Sequence, residues 1–387
     1  MNERLPALSY QYVAPELRVF HGSDSLAALK RELERNACKR AVVVCGRTVS
    51  RSEELGLLRE SLGSLVVGVS ATAREHSPVA GVDETVRFLV EAQADAIVAV
   101  GGGSAAVTAR AAAIAAGEKK PLAELCTRRQ ADGSFESPRL NAPKLPQFVV
   151  PTTPSTAFVK AGTAVHDDAG ERLALFDPKT RAKAIFVHPR FVATAPPDLA
   201  QSATLNAFAN AIEALTSPKC DPFSEALLMQ ALRLINANLQ LVRDGGVEVR
   251  ERLVVAAILC GRGTEQGGTG LASVLAHAIG RRSHVANGIV NAIVLPYTMR
   301  YSAPVTGARD PAVIEALGGL PGSLPASDVV QGFLARVGAP KSLREIGVAQ
   351  EDLAPIADAA MLDWFISRNA RAVPNAATLR ELLQVAW

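Results

Sequence analysis

The sequence lacks the cysteine patterns that hold small domains together. It has five cysteines, an odd number, and no C-x-x-C pair. Cysteines used in this way are typical of a reducing compartment. They argue against a disulfide framework and against a zinc knuckle.

Long apolar runs and a large charge of one sign are also missing. No uninterrupted apolar stretch reaches the roughly 18 residues that a membrane-spanning helix needs. The N-terminal segment MNERLPALSY contains no hydrophobic signal region. The net charge is only +3 over 387 residues, which does not indicate nucleic-acid binding. We therefore expect a cytoplasmic protein that binds neither membranes nor nucleic acids.

The chain is long enough, and at 48% hydrophobic residues apolar enough, for two domains with large cores. In its first half, apolar β-branched runs alternate with helical patterns, which predicts a doubly wound parallel sheet. From Pro197 onward the apolar period is helical, with an inward stripe of Leu205, Ala209, Ile212 and Leu215. We predict domains 1–190 and 191–387, with a substrate cleft between them.

The most informative stretch is Ala96–Gly117, AIVAVGGGSAAVTARAAAIAAG. An apolar strand runs into three glycines, and an alanine-rich helix follows, with Ser104 expected as its N-cap. Glycines let the backbone approach a phosphate closely, and the first N–H groups of the helix point at it. The turn predicts a pyrophosphate site for a nucleotide cofactor. A purely structural turn is the alternative, because the pattern is not G-x-G-x-x-G.

Three other loops follow strands of the same predicted sheet, and they contain Gly46, His76 and Thr152. Ligands of such sheets bind at the carboxyl ends of the strands. The coincidence of four loops favours nucleotide binding. The candidate cofactor-binding residues are Gly46, Arg47, His76, Gly101, Gly102, Gly103, Ser104, Thr152 and Thr153.

Several motifs together resemble the iron-containing (group III) alcohol dehydrogenase family, and within it maleylacetate reductases most. They are HSPV (76–79), AVGGGS (99–104), PTT (151–153), NAFANAIEAL (206–215), AHAIG (276–280) and NAIVLP (291–296). The resemblance implies an α/β Rossmann-like N-terminal domain and an all-α C-terminal domain, the dehydroquinate synthase-like fold. It also implies NAD(P) on the glycine turn, a small-molecule substrate and a homodimer.

The resemblance also implies a metal site, and there the chain departs from the family. The family binds a divalent metal through an aspartate and a histidine four residues apart on one helix, and through two further histidines. The aligned positions here are Asn206, Asn210, Ser273 and Asn287. None offers a carboxylate or an imidazole, so we expect no bound metal. The polar groups either replace the metal by hydrogen bonding, or are a decayed site whose groups bond one another.

Two further departures concern the glycine turn and the cofactor. Val107 stands where the family has an aspartate, a second likeness to maleylacetate reductases. Gly46 aligns with the acidic residue that holds the ribose hydroxyls in NAD-preferring members. A carboxylate there would repel a 2′-phosphate, whereas Gly46 followed by Arg47 removes the repulsion and adds a cation. Use of NADP(H) is therefore a hypothesis.

Without a metal, Asn206, Asn210, Ser273 and Asn287 would donate hydrogen bonds to the developing alkoxide of a reduced carbonyl. His277 aligns with a family histidine near the substrate and is the candidate proton donor. Lys160, Arg281, Arg282 and His284 could attract a substrate carboxylate. The plainer interpretations are a buried structural histidine and solvated cations.

Two functions therefore stand as hypotheses. The first is a metal-independent, NAD(P)H-dependent reductase of a small carbonyl compound or oxo acid. The second is a protein on the same scaffold that has left hydride transfer: a lyase, isomerase or cyclase, or a non-catalytic partner. The surviving glycine turn favours the first.

Overall fold

The computed structural model describes residues 9–130 and 134–387, which divide into two compact units. The first, here called the sheet unit, consists of Leu17–Thr204 and Leu241–Gly261. The second, the helical unit, consists of residues 9–16, Leu205–Gln240 and Arg262–Trp387. The domain boundary between residues 190 and 191 stays a prediction.

The strands of the described chain all lie in the sheet unit. Their bounds are β1 (Arg18–His21), β2 (Ala41–Cys45), β3 (Val66–Ser70), β4 (Ala96–Gly101), β5 (Arg128–Arg129), β6 (Phe135–Glu136), β7 (Gln147–Pro151), β8 (Gly162–His166), β9 (Arg172–Phe176) and β10 (Ala182–Val187). Six of them form a parallel sheet in the order β1-β10-β7-β4-β2-β3. The other four form two antiparallel pairs, β5 with β6 and β8 with β9.

Helices cover both faces of this sheet. The helices of this part of the chain are α1 (Ser25–Arg35), α2 (Arg47–Ser50), α3 (Glu53–Leu62), α4 (Val79–Glu91), α5 (Gly103–Glu118), α6 (Leu122–Leu125) and α7 (Pro189–Ala193). Alternate residues of β2 enter different cores: Val42 and Val44 pack with α4 and α5, whereas Val43 packs with α1 and α3. Because both faces are buried, the strands read as continuous apolar runs.

The remaining regular elements of the described chain are helices and short helical turns. These helices are α8 (Pro197–Thr216), α9 (Pro222–Asn238), α10 (Gly246–Gly267), α11 (Leu271–Ser283), α12 (Asn287–Thr306), α13 (Asp310–Ala316), α14 (Ala326–Arg336), α15 (Leu353–Ala360) and α16 (Ala376–Ala386). The inward stripe expected on α8 is fully buried, at Leu205, Ala209, Ile212 and Leu215. Together with the parallel sheet, these helices confirm the predicted fold class.

Across residues 9–130 and 134–387, no helix combines the length and the apolar character needed to cross a bilayer.

Candidate functional site

The loops predicted to bind the cofactor follow neighbouring strands. In the sheet β7, β4 and β2 lie side by side, and they lead into Thr152, the three glycines and Gly46 respectively. The chain runs from β2 outward to β3 and then returns to β4 on the other side of β2. Ligands of open α/β sheets bind at such a reversal of strand order, outside the carboxyl ends of the strands. The structure therefore brings these predicted residues to one edge of the sheet.

The glycine turn is packed against the loop after β7. Gly101 has a φ of +146°, and its carbonyl accepts a 2.9 Å hydrogen bond from the Thr152 N–H. A Cβ at position 102 would lie 2.7 Å from Thr153 Oγ1, and one at position 103 would lie 2.8 Å from Ser155 Oγ. Only glycine leaves these contacts undisturbed.

The helix that follows begins two residues earlier than expected, which makes the assignment of Ser104 as its N-cap wrong. Helix α5 starts at Gly103, its N-cap is Gly102, and no side chain caps it. Because the turn continues directly into the helix, Ser104 lies inside the first helical turn. Its N–H is therefore among the first N–H groups of a 16-residue helix, which suit the binding of a pyrophosphate.

The loop after β3 lies against the start of α5. His76 and Ser77 both have positive φ, 59° and 46°, and Ser77 Oγ donates to the Ser104 carbonyl at 3.3 Å. The His76 carbonyl oxygen lies 2.6 Å from His166 Nδ1, and the His76 side chain is half exposed. Two consecutive left-handed non-glycine residues cost energy, and such strain is commonly found at binding sites.

Two arginines stand at the ends of β2 and β3. Gly46 is the N-cap of α2, and a Cβ there would lie 3.3 Å from the Ala73 carbonyl oxygen. The Ala73 N–H donates to the Cys45 carbonyl, so the loop after β3 is fixed beside the end of β2. Arg47 and Arg74 are exposed, and in the described part of the chain neither has an ion-pair partner. Guanidinium groups in this position can bind a phosphate.

In the helical unit, Asn206 and Asn210 lie four residues apart on one face of α8. Asn206 Oδ1 accepts a 2.9 Å hydrogen bond from Asn291 Nδ2, on α12. Ser273 Oγ, on α11, lies 3.2 Å from Asn210 Oδ1 and 2.6 Å from Glu213 Oε2, and its single proton can be donated to only one of these oxygens. Within the described residues, neither Nδ2 has a protein acceptor, so both amide nitrogens are available as donors.

Asn287 lies one turn before Asn291 on α12. A Cβ at Gly280 would come within 2.8 Å of its Oδ1, so the missing side chain at 280 makes room for this amide. The four residues aligned with the family's ligands thus lie on α8, α11 and α12. We call Asn206, Asn210, Ser273, Asn287 and Asn291 the amide cluster.

Glu213, one turn after Asn210 on α8, carries a buried carboxyl group beside the amide cluster. Its Oε1 accepts from the Ala272 N–H at 2.6 Å, and its Oε2 lies 2.6 Å from Ser273 Oγ. Burial raises the pKa of Glu213, against the opposing effect of these hydrogen bonds. With Thr269 and Asn369, Glu213 also lines a cavity of about 270 Å³. In the sequence, Glu213 stands out only as a member of the motif NAFANAIEAL.

His277 lies one turn after Ser273 and pairs with a carboxylate. Its Nδ1 is 2.9 Å from Asp363 Oδ2, and the two side chains are 21% and 11% exposed. A carboxylate on one ring nitrogen fixes the orientation and tautomer of the imidazole. Asp363 stands 86 residues further along the chain. No local pattern in the sequence marked it, and only the fold brings it to His277.

The candidate cations have different surroundings. Lys160 lies in the sheet unit, at the end of the turn Thr156–Val159. Burial raises the pKa of Cys260, on α10, to about 12. The positive charge of Lys160 partly opposes this rise, so the Lys160 ammonium group lies near α10. Arg282 forms a half-exposed ion pair with Asp352 at 2.6 Å. His284 ends α11 in the left-handed conformation, with a φ of 58°.

These residues do not fit a bound iron or zinc ion. Across residues 9–130 and 134–387, no three His, Cys, Asp or Glu side chains are grouped so that they could hold a metal. Iron and zinc are held by imidazole, carboxylate and thiolate groups, whereas the amide cluster offers neutral amides and one hydroxyl. The nearby carboxyl of Glu213 is engaged by Ser273 and by backbone N–H groups.

Known proteins resemble this chain over almost its whole length. Lactaldehyde reductase of Escherichia coli K12 is 26% identical over 380 residues, which cover 95% of this chain and 97% of that protein. Maleylacetate reductase 1 of Cupriavidus pinatubonensis is 28% identical over 362 residues, covering 92% and 90%. The structure of an alcohol dehydrogenase from Oenococcus oeni matches with a TM-score of 0.88 at 21% identity, covering 98% of this chain and all of that one.

Two family models match consecutive parts of the chain. The model for iron-containing alcohol dehydrogenases covers residues 15–189, and the model for the C-terminal part of the Fe-containing alcohol dehydrogenase family covers residues 200–387. They account between them for nearly every described residue of the sheet, of its cofactor loops and of the helical unit. The chain therefore belongs to the iron-containing alcohol dehydrogenase family of NAD(P)-dependent oxidoreductases.

Proposed function

We propose that this oxidoreductase is a metal-independent, NAD(P)H-dependent reductase of a small carbonyl compound, and that its substrate is an oxo acid. One observation carries the proposal. The carbonyl oxygen of Asn206 accepts a hydrogen bond from Asn291 Nδ2, so the amide nitrogen of Asn206 remains as a donor, and the Nδ2 of Asn210 on the same face of α8 has no protein acceptor among the described residues. Donors fixed in this way stabilise negative charge on an oxygen, which is the task of the metal in a metal-dependent reductase.

The proposed chemistry divides the work between the cofactor and the side chains. NAD(P)H, when bound, supplies the hydride. Asn206 and Asn210 then donate hydrogen bonds to the carbonyl oxygen as it becomes an alkoxide. His277 donates the proton; since its Nδ1 is paired with Asp363, the proton would leave from Nε2.

Two arguments support an oxo acid as the substrate: the activity of some relatives, and a positively charged side chain that could bind a carboxylate. Maleylacetate reductases are among the relatives of this chain, and they act on an oxo acid. Lys160 is the proposed cation for a substrate carboxylate. The homodimer expected from the family is part of the same proposal.

We further propose that the enzyme prefers NADPH to NADH. The argument is local: Gly46 leaves no carboxylate at the end of β2, and Arg47 and Arg74 are exposed there. A 2′-phosphate would gain a charge-assisted hydrogen bond from each guanidinium. Titration of both cofactors, followed by nicotinamide fluorescence, tests this. Tighter binding of NADPH is expected; equal affinities would overturn the preference, and binding of neither would overturn the reductase.

Metal independence is tested separately. Protein purified without chelators should contain iron and zinc far below one equivalent by elemental analysis, and its NADPH-dependent reduction of maleylacetate should survive dialysis against EDTA. Stoichiometric metal, together with loss of activity in EDTA, would show that the assignment of the site is wrong.

A complementary experiment restores the family's ligands. The variant Asn206→Asp/Asn210→His/Ser273→His/Asn287→His should bind a divalent metal tightly by isothermal titration calorimetry, because Asn206 and Asn210 share a face of α8. The matched control carries the same changes at 210, 273 and 287 but Asn206→Ala in place of Asn206→Asp, which should weaken binding. A folded quadruple variant that takes up no metal would contradict the proposed alignment of the site.

A further inference from the structure

Asn291 is the most buried amide of the cluster, with 1% of its surface exposed. Its Nδ2 donates to Asn206 Oδ1 at 2.9 Å. Its own Oδ1 is fully buried and has no hydrogen-bond partner among the described residues. A buried carbonyl without a donor destabilises the folded state, so a native structure keeps one only where another requirement outweighs this cost.

The hydrogen bond from Asn291 matters because a side-chain amide has an acceptor end, the oxygen, and a donor end, the nitrogen. The Asn206 side chain can present either its oxygen or its nitrogen, and a partner held against one end decides which end faces the other way. Asn291 occupies the oxygen of Asn206 with a donor, which leaves the Nδ2 of Asn206 as the outward group. On the next turn of α8, Ser273 Oγ lies 3.2 Å from Asn210 Oδ1.

We infer that Asn291 is a positioning residue of the reductase: it holds Asn206 so that this side chain presents N–H donors, and not a carbonyl oxygen, to the substrate oxygen. The inference rests on the proposed function, because a donor matters only if negative charge develops on that oxygen. A reversed Asn206 would place a carbonyl oxygen against the alkoxide and repel it.

The variant that tests the inference is Asn291→Asp, which keeps the shape of the side chain but replaces the donor by an acceptor. Asn206 would then have to donate its Nδ2 to the new carboxylate, so its oxygen would face the substrate. We expect kcat with NADPH and maleylacetate to fall about 100-fold, the loss typical of one oxyanion donor, at an unchanged Kd for NADPH. Asn291→Leu, which removes the bond without reversing it, should lose about 10-fold.

A double-mutant cycle separates this role from a mere charge effect. In an Asn206→Leu background, Asn291→Asp should cost no further activity, because no amide is left to orient. A loss of the same size in both backgrounds would overturn the inference, since it would show that the new charge acts directly on the reaction. Asn206→Leu alone tests the proposed function: if it leaves kcat unchanged, the donor role of Asn206 is wrong, whatever Asn291 does.

An observable other than activity settles the orientation itself. In protein labelled with 15N-asparagine, the side-chain NH2 signals of Asn206 are assigned by their loss in Asn206→Leu. They should move downfield in Asn291→Asp, because an N–H donated to a carboxylate is strongly polarised. If they stay in place in a folded Asn291→Asp protein, the inference is wrong. If that variant does not fold, the signals in Asn291→Leu decide instead: a broadened pair, from an amide no longer held, is expected, and an unchanged pair overturns the inference.

Discussion

The cofactor loops of the sheet unit and the amide cluster of the helical unit are built from different parts of the chain. In the proposed function the glycine turn acts through its backbone: Gly102 and Gly103 contribute the absence of a Cβ and the N–H groups that follow. The amide cluster would act through side chains, and the orientation of Asn206 depends on its hydrogen bond to Asn291. A site built from backbone groups tolerates few substitutions, so it leaves a recognisable pattern in the sequence. A site built from side chains can change its chemistry while the helices that carry it stay the same.

This contrast predicts that variants in the two regions change different kinetic constants. The largest effect is expected in the amide cluster. Asn210→Leu should lower kcat about 10²–10³-fold, because one donor to the alkoxide is lost, and leave the Kd for NADPH unchanged. Steady-state kinetics and a fluorescence titration measure both. Asn141→Leu, at an exposed position, is the control and should behave as the wild type. A parallel loss of cofactor affinity in Asn210→Leu would break the comparison.

The next effect concerns the proton donor and its partner. His277→Gln should lower kcat about 100-fold. Asp363→Asn should lower it about 10-fold, since the imidazole remains but its orientation is less fixed. The pH profile distinguishes a positioning role from a structural one: the limb of kcat that depends on the histidine should move in Asp363→Asn and vanish in His277→Gln. If both variants keep the profile of the wild type, His277 is a structural residue.

A smaller effect, on affinity only, is expected at the glycine turn. In Gly103→Ala the new Cβ would lie 2.8 Å from Ser155 Oγ, and Ser155 would have to shift. The Kd for NADPH should rise about 10-fold, which corresponds to about 1.4 kcal/mol. Gly56→Ala is a matched control within α3, because a Cβ there meets nothing within 4 Å. Gly56→Ala should leave the Kd for NADPH unchanged. If Gly103→Ala also leaves this Kd unchanged, the glycine turn does not bind the cofactor.

The smallest effect is on stability and its dependence on pH. The pKa of Glu213 is raised by burial, so the folded protein holds this proton at a pH where the unfolded chain has lost it. Its contribution to stability therefore falls as pH rises above the ordinary glutamate value. Glu213→Gln should raise the apparent Tm at pH 8 by roughly 2 °C or more and change it little near pH 4.5. Calorimetry with exposed Glu351→Gln as control checks this; a Tm difference that does not depend on pH would contradict it.

Much of the fold could be predicted, because it depends on patterns that the sequence displays directly. The continuous apolar runs of β2 and β4 predicted strands buried on both faces, and the stripe from Leu205 to Leu215 predicted the inner face of α8. The positions of the cofactor loops followed from the order of strands and helices. The prediction for Ser104 was wrong because it rested on the general preference of serine for the N-cap. In the structure Gly102 is the N-cap, and Ser104 lies within the first turn of α5.

For the candidate site, the sequence could predict which positions carry polar groups but not which side chains they bond to. Four aligned residues indicated where polar groups would meet, yet their bonding partners Asn291, Glu213 and Asp363 came from the fold. Which end of an amide faces outward depends on these partners, and a sequence contains no period or spacing that encodes it. The residue types at these positions could be read from the sequence, whereas the hydrogen bonds between their side chains could not.

Gly280 has a consequence for how this site can change. Its missing methyl group is the space that the Asn287 amide occupies. A Cβ at 280 would make the Asn287 amide shift, because it would meet the amide oxygen at 2.8 Å. Substitutions at 280 and 287 are therefore expected to be coupled, and a library that diversifies both positions together will contain side-chain pairs that changes at 287 alone do not sample.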